Sequence, residues 1–131
     1  MILLFINSVS IDTLHPFFYV GLKYLGIKYK YGGNDTTGMD CSGFVYNVLK
    51  EFGIKAPRTS KDYINFGKNV PIDSIKPGDI LIFSFKEQYD HVGIYIGDNK
   101  IIHASSKRGV IIEDLKYIYN YIKMARRINF Y

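Results

Sequence analysis

The residues of this chain best suited to covalent chemistry are its single cysteine, Cys41, and two of its three histidines, His91 and His103. Cys41 lies in the run Asp40-Cys41-Ser42-Gly43, directly ahead of Phe44, Val45, Val48, Leu49 and Phe52, whose spacing predicts a buried helix. A thiol at a helix start meets unpaired backbone N–H groups and the positive end of the macrodipole, and both favour thiolate. A histidine can take the thiol proton at neutral pH, because its ordinary pKa of about 6.5 is within reach of small shifts. Three parts are then needed: thiol, imidazole, and a group that orients the imidazole.

Each residue also has a plainer role. A lone free cysteine is commonly a small core hydrophobe, His91 alone reads as a surface histidine at a strand start, and His103 as a buried, satisfied one. It is the set that points to a nucleophile. His15, ahead of Pro16 near a helix start, is read as structural. A cysteine and two histidines also offer three zinc ligands, but the short Cys-x-x-Cys or His-x-x-x-His spacing is absent, so no metal is expected.

The elements that position these groups follow from periodicity. Leu14, Phe17, Phe18, Leu22 and Leu25 predict a helix over residues 13–25, with Thr13 as N-cap and Gly26 as its stop. Tyr29 to Asp35 carries Gly32-Gly33 and reads as a turn that wraps toward the cysteine. The second helix runs from Cys41 or Ser42 to Phe52, and a short one is expected over residues 59–66. Residues 71–78 read as loop. The period then changes to two, giving strands over 79–85, 91–97, 100–105, 110–113 and 124–130, with a helical turn over 115–121. Helices first and strands second predict an α+β fold, with N-terminal helices packed on a mainly antiparallel sheet of about five strands.

That sheet must bring both histidines to one face. A two-residue Asp98-Asn99 loop would pair Ile94 with His103 and send the histidines to opposite faces. A three-residue loop over Gly97, Asp98 and Asn99, or an equivalent bulge, pairs Gly93 with His103 and sets the imidazoles diagonally on one face. This second register is the expectation, with Val92, Ile94 and Ile96 filling the opposite face.

At 131 residues with 47% hydrophobic and 22% charged residues, the composition is that of one globular domain over 1–131, with residues 1–12 as a short apolar lead segment. The net charge of +5 suits a polyanionic neighbourhood. The basic residues are scattered and no nucleic-acid motif is present, so nucleic acid is not an expected partner. One cysteine leaves none for a disulfide or a lipobox beside the nucleophile. Met1 to Ile6 is apolar but has no preceding Lys or Arg, which makes a weak export signal. No run approaches the roughly 18 apolar residues of a membrane span, and a monomer is the default.

Taken in order, Tyr29-Lys30-Tyr31-Gly32-Gly33, Gly38-Met39-Asp40-Cys41-Ser42-Gly43-Phe44-Val45, Pro57-Arg58-Thr59-Ser60, Pro77-Gly78-Asp79, His91 to Gly97 and His103-Ala104-Ser105 form a specific pattern. It resembles the NlpC family of bacterial cell-wall cysteine peptidases. The resemblance implies a papain-like fold in which Cys41 is the nucleophile, His91 the general base and then acid, and His103 the group that orients His91. It further implies that the Tyr29 hydroxyl and the Cys41 backbone N–H polarise the scissile carbonyl. Asp40, Ser42 and Arg58 match positions expected to line the substrate cleft; their plainer roles are helix capping for Ser42 and dipole compensation for Asp40.

The chemistry implied is hydrolysis of amide bonds in peptidoglycan stem or cross-link peptides, after D-glutamate or at D-Ala next to a diamino acid, through an acyl-enzyme and without a cofactor. Family members are usually exported, so the implied location is the bacterial envelope. The rival readings are a thiol acyltransferase or amidase of the same fold on a non-wall substrate, and a non-catalytic module that binds wall peptides. Cysteine-before-histidine order and the intact Cys, His, His and Tyr set favour the peptidase. The bulky Phe17-Phe18-Tyr19 cluster has no functional explanation at this level.

Overall fold

The computed structural model describes residues 15–129. The apolar lead segment, the expected cap Thr13 and the end of the last expected strand lie outside the described residues.

Helix α1 (Pro16–Leu22) starts at a proline, which suits the first helical position, and its N-cap is His15, whose Nδ1 accepts from Phe17 N at 3.1 Å. Phe17 and Phe18 are fully buried, and Phe17 packs edge-on against Phe52 at 5.2 Å, so two of the three bulky aromatics are core. A two-stranded ribbon follows, β1 (Asn34–Asp35) and β2 (Gly38–Met39), and leads into α2 (Cys41–Lys50). The cap of α2 is Asp40, whose carboxylate accepts from Gly43 N at 2.7 Å; Ser42 does not cap it. The expected helix over 59–66 is a 3₁₀ segment, Ser60–Asn65.

The main sheet has six antiparallel strands rather than about five: β3 (Lys68–Val70), β4 (Ile80–Phe83), β5 (His91–Gly97), β6 (Lys100–Ser105), β7 (Gly109–Asp114) and β8 (Ile122–Arg127). Their order is β3-β8-β4-β5-β6-β7. The unexpected strand is β3, a three-residue edge strand whose Lys-Asn-Val sequence has too little apolar alternation to signal it. Part of the expected 71–78 loop is a 3₁₀ turn, Ile72–Ser74, and the turn over 115–121 is two, Leu115–Tyr117 and Tyr119–Tyr121.

Both faces of the sheet are covered. Phe17, Phe44, Val48 and Leu49 of the helices pack with Ile80, Ile82, Val92, Ile94, Ile96 and Ile102. On the other face Leu81, Phe83, Ile101, Leu115, Ile122 and Ala125 cluster. This is why β4 reads as an unbroken apolar run. The start of β4 is tied to the end of β8 by Asp79, almost fully buried, which Arg127 grips through both oxygens at 2.8 and 2.9 Å. Among the described residues no helix is long and apolar enough to cross a membrane.

The β5–β6 hairpin reaches the expected register by the bulge, not by a three-residue loop. The loop is Asp98-Asn99, both at positive φ (51° and 58°), and Gly97 pairs with Lys100. Ile96 is then bulged out, so Tyr95 pairs with Ile101 and Ile94 with Ile102. Continued by one residue, this register sets Gly93 opposite His103. A Cβ on Gly93 would lie 2.9 Å from His103 Cβ and 2.8 Å from Ile101 Cδ1. Gly93→Ala is therefore expected to cost about 1–3 kcal/mol as an overpacking substitution, read as a lower urea midpoint at unchanged m-value.

Candidate active site

A cleft of about 480 Å³ runs past the start of α2, and Tyr29, Tyr31, Cys41, Arg58, Lys61 and Asp90 are among its walls. The structure thus brings five expected residues, Tyr29, Asp40, Cys41, Ser42 and Arg58, to one cleft. Their placement rests on Asp40. Its Oδ1 accepts from Gly43 N at 2.7 Å and from Arg58 Nη1 at 3.0 Å, and its Oδ2 accepts from Gly32 N at 2.9 Å. Arg58 also donates to Ser42 Oγ and to Gly33 O, each at 3.0 Å. The glycine turn, the helix start and the Arg58 loop are locked together by this cluster. Gly43 permits the contact: a Cβ there would lie 2.2 Å from Gly33 O.

Cys41 is 5% exposed, and its thiol donates to the Asp90 carbonyl at 3.8 Å. Burial pushes the thiol up to about 11, against the pull of the Val92, Ser42 and Cys41 backbone N–H groups; the Asp40 carboxylate adds to the rise. The helix N-terminus alone thus does not make a resting thiolate, because Asp40 already holds its dipole and burial is the larger effect. Tyr29 is half-buried, and burial, followed by the neighbouring Cys41, raises its phenol to about 12. Its hydroxyl therefore stays protonated at neutral pH, in the cleft that Cys41 also lines.

The two expected histidines form a buried pair. His91 Nε2 and His103 Nδ1 are 2.7 Å apart, with the rings at 89°. Among the described residues the sulfur bonds to Asp90 O rather than to an imidazole, and Asp90 is the residue before His91. Burial first, then the neighbouring His103, lowers the His91 imidazole to about 3. Two aromatics supply part of that burial: Phe85 lies 5.0 Å and Phe83 5.6 Å from the His91 ring, centroid to centroid. Phe85 is itself 38% exposed and leans on Tyr121 at 5.2 Å.

Sequence reasoning missed three contributors. Glu113 Oε1 sits 2.7 Å from His103 Nε2, and Arg108 donates to the other carboxylate oxygen at 2.8 Å. The available signal was parity: in the antiparallel β6–β7 pair Glu113 lies opposite Ile101, on the face that carries His103. Asp90 is the third. Its carboxylate accepts from Phe85, Lys86 and Glu87 N at 2.8–2.9 Å, and these bonds outweigh burial to hold its pKa below the usual value. That cap fixes the loop carrying Phe85. Among the described residues no group of three or more His, Cys, Asp or Glu is placed to hold a metal ion.

Residues 26–127 match the sequence model of the NlpC/P60 family. The chain belongs to that family. It is 41% identical over 106 residues to a gamma-D-glutamyl-L-lysine dipeptidyl-peptidase of Bacillus subtilis, covering 79% of this chain and 36% of that protein. It is 40% identical over 95 residues to the murein DD-endopeptidase MepS/murein LD-carboxypeptidase of Escherichia coli, covering 72% of this chain and 50% of the relative. The chain thus spans half or less of these two relatives. An NlpC/P60 family protein from Bacillus cereus superposes with a TM-score of 0.80 at 33% identity, over 90% of this chain and 41% of that one. The NlpC/p60 domain of the peptidoglycan hydrolase SagA superposes at 0.77 with 26% identity, over 86% of this chain and 97% of that one. The α+β architecture is that of the papain-like NlpC/P60 structures.

The aromatic cover over His91 has a measurable consequence. Removing the Phe85 ring admits water to the imidazole, relieves its largest perturbation, and moves its pKa upward toward the ordinary value. Phe85→Ala is expected to raise the His91 titration midpoint by about one pH unit or more, followed by NMR of the imidazole protons. A midpoint equal to that of wild type would assign the burial of His91 elsewhere.

Proposed function

We propose that this NlpC/P60 chain is a cysteine endopeptidase that hydrolyses amide bonds in peptidoglycan stem or cross-link peptides, of the D-Glu/diaminopimelate or D-Ala/diaminopimelate type. The observation that carries the reading is the thiol of Cys41, seated at the N-terminus of α2 on a cleft wall and bonded to Asp90 O, directly ahead of the start of β5, whose His91 pairs with His103 of β6. The names of the relatives support the substrate class.

In this mechanism the resting pair is a neutral thiol and a neutral imidazole. Burial disfavours either charge alone, so the proton passes within the pair, from Sγ to His91, and each new charge offsets the burial of the other. Sγ attacks the scissile carbonyl carbon, and the carbonyl π electrons move to oxygen. The oxyanion accepts from the Cys41 N–H and the Tyr29 hydroxyl. The C–N bond breaks as His91 returns its proton to the leaving amine, which leaves a thioester on Cys41. Water, losing a proton to His91, then attacks the thioester carbonyl; the C–S bond breaks and the sulfur takes that proton back from His91, which releases the acid and restores the thiol. Asp40, Ser42 and Arg58 hold the cleft wall that receives the peptide. Such a substrate places the protein at the bacterial envelope.

The test is mass spectrometry of purified muropeptides incubated under reducing conditions with wild type and with Cys41→Ala. A fragment that appears only with wild type is the expected result and names the bond. No fragment from any muropeptide with folded protein overturns the reading in favour of acyl transfer elsewhere or of binding. The pH dependence follows from the direction of the His91 shift. Because the imidazole is held below its ordinary value, the base stays unprotonated into acid, and the acid limb of kcat/KM is expected below about pH 6.5. A limb at or above that ordinary histidine value, measured on the muropeptide that is cut, would contradict it.

A further inference from the structure

We propose that Glu113 is a positioning residue of this site: through His103 it selects the His91 tautomer whose Nδ1 is bare and free to take the thiol proton. The proposal rests on the roles given above to Cys41 and His91, and it adds the strand β7 to the machinery.

The argument is a count of donors and acceptors along one chain of contacts. Glu113 Oε1 lies 2.7 Å from His103 Nε2, and the two side chains are 10% and 4% exposed, so no bulk water competes for the bond. An ionised carboxylate can only accept. The bonds from His103 and Arg108 hold Glu113 ionised, with its pKa lowered to about 2. His103 Nε2 must therefore carry a proton, and in the neutral ring Nδ1 is then bare. That bare Nδ1 lies 2.7 Å from His91 Nε2, which must be the donor. In neutral His91 the remaining nitrogen, Nδ1, is left with its lone pair. One fixed charge, relayed through His103, thus sets which nitrogen of the base is basic.

Arg108 completes the arrangement. It donates to Glu113 Oε2 at 2.8 Å, which leaves Oε1 for His103 and fixes the plane of the carboxylate. It also offsets part of the charge that would otherwise draw a second proton onto the imidazole pair. Arg108 is 60% exposed, so this contribution is screened by solvent.

Arg108 and His103 Nε2–H both direct a donor at position 113, and an amide there has only one oxygen to offer the two of them. In Glu113→Gln the oxygen goes to the guanidinium and the NH₂ faces His103. That inverts the chain: His103 Nε2 becomes bare, His103 Nδ1 donates, and His91 carries its proton on Nδ1. In Glu113→Gln/Arg108→Met the amide oxygen is released to face His103, and the original tautomers return.

The experiment is nitrogen-15 NMR of the full chain with labelled histidine, at neutral pH, alongside muropeptide hydrolysis. Wild type is expected to show protonated Nε2 and bare Nδ1 in both His91 and His103. Glu113→Gln is expected to reverse both and to lower kcat at least about tenfold with KM little changed. The double variant is expected to restore the shifts and most of kcat. Wild-type tautomers and kcat in folded Glu113→Gln, or a double variant no better than the single one, would overturn the proposal in favour of a simple ion pair. The NMR arm needs no substrate. A wild type that cuts no wall peptide overturns the hydrolase reading, while the shifts still decide this one.

Discussion

Successive side chains of a strand point to opposite faces, so a slip of one residue between β5 and β6 would separate His91 from His103 altogether. Everything proposed for this site depends on that parity. The two-residue Asp98-Asn99 turn, with both residues at positive φ, is the loop whose twist suits a hairpin, yet on its own it gives the wrong parity. The single bulged residue, Ile96, reverses it while remaining fully buried against the helices. The regular β6–β7 ladder then carries the same parity one strand further, from His103 to Glu113. Three adjacent strands in a simple meander deliver imidazole, imidazole and carboxylate to one face, at distances set by backbone hydrogen bonds rather than by flexible loops.

Cys41, the proposed nucleophile, is placed by a different device, a saturated carboxylate. Asp40 accepts from two backbone N–H groups and a guanidinium, and Arg58 in turn reaches Ser42 and Gly33. With its partners in place, a buried charge of this kind is tolerated; with Arg58 removed it would be left poorly compensated. The consequence for chemistry runs against the simplest expectation for a helix start. Asp40 takes up the positive end of α2, and its own charge disfavours a second anion at Cys41. Position and activation are therefore separate: the cap sets where the sulfur is, and in the proposed mechanism the histidine pair supplies what makes it reactive.

Sequence pattern was enough for the parts that obey strong periodicity. The α2 stripe and the period-two strands β5 and β6 follow from side-chain alternation; the β5–β6 register is expected because both histidines must share a face, through a three-residue loop or a bulge, and the bulge is what forms. The parts it missed are those with little local signal. Strand β3 is three residues long with two polar side chains, and β1 and β2 are two residues each, too short for any period to show. Glu113 reads in sequence as one more polar residue on a half-buried strand; only its register against Ile101 sets it on the histidine face. The cap of α2 is Asp40 rather than Ser42, since both are good caps and only the backbone decides between them. The aromatic run in α1, unexplained as sequence, is accounted for by packing, with Phe17 and Phe18 fully enclosed and Tyr19 at the surface.

Burial acts on both partners of the proposed proton transfer in the same sense, toward neutrality. A thiol raised to about 11 holds very little thiolate at neutral pH, and thiolate is the form that oxidants and alkylating agents attack. A lone imidazole lowered to about 3 draws no proton from solvent over the same range. The ion pair is favoured only where the two charges form together, close to each other and away from water, with the developing oxyanion held by the Cys41 N–H and the Tyr29 hydroxyl. On this reading the aromatic cover of Phe83 and Phe85 protects a resting site from side reactions. The Glu113–His103 chain keeps the base in the one tautomer that can respond when a carbonyl arrives.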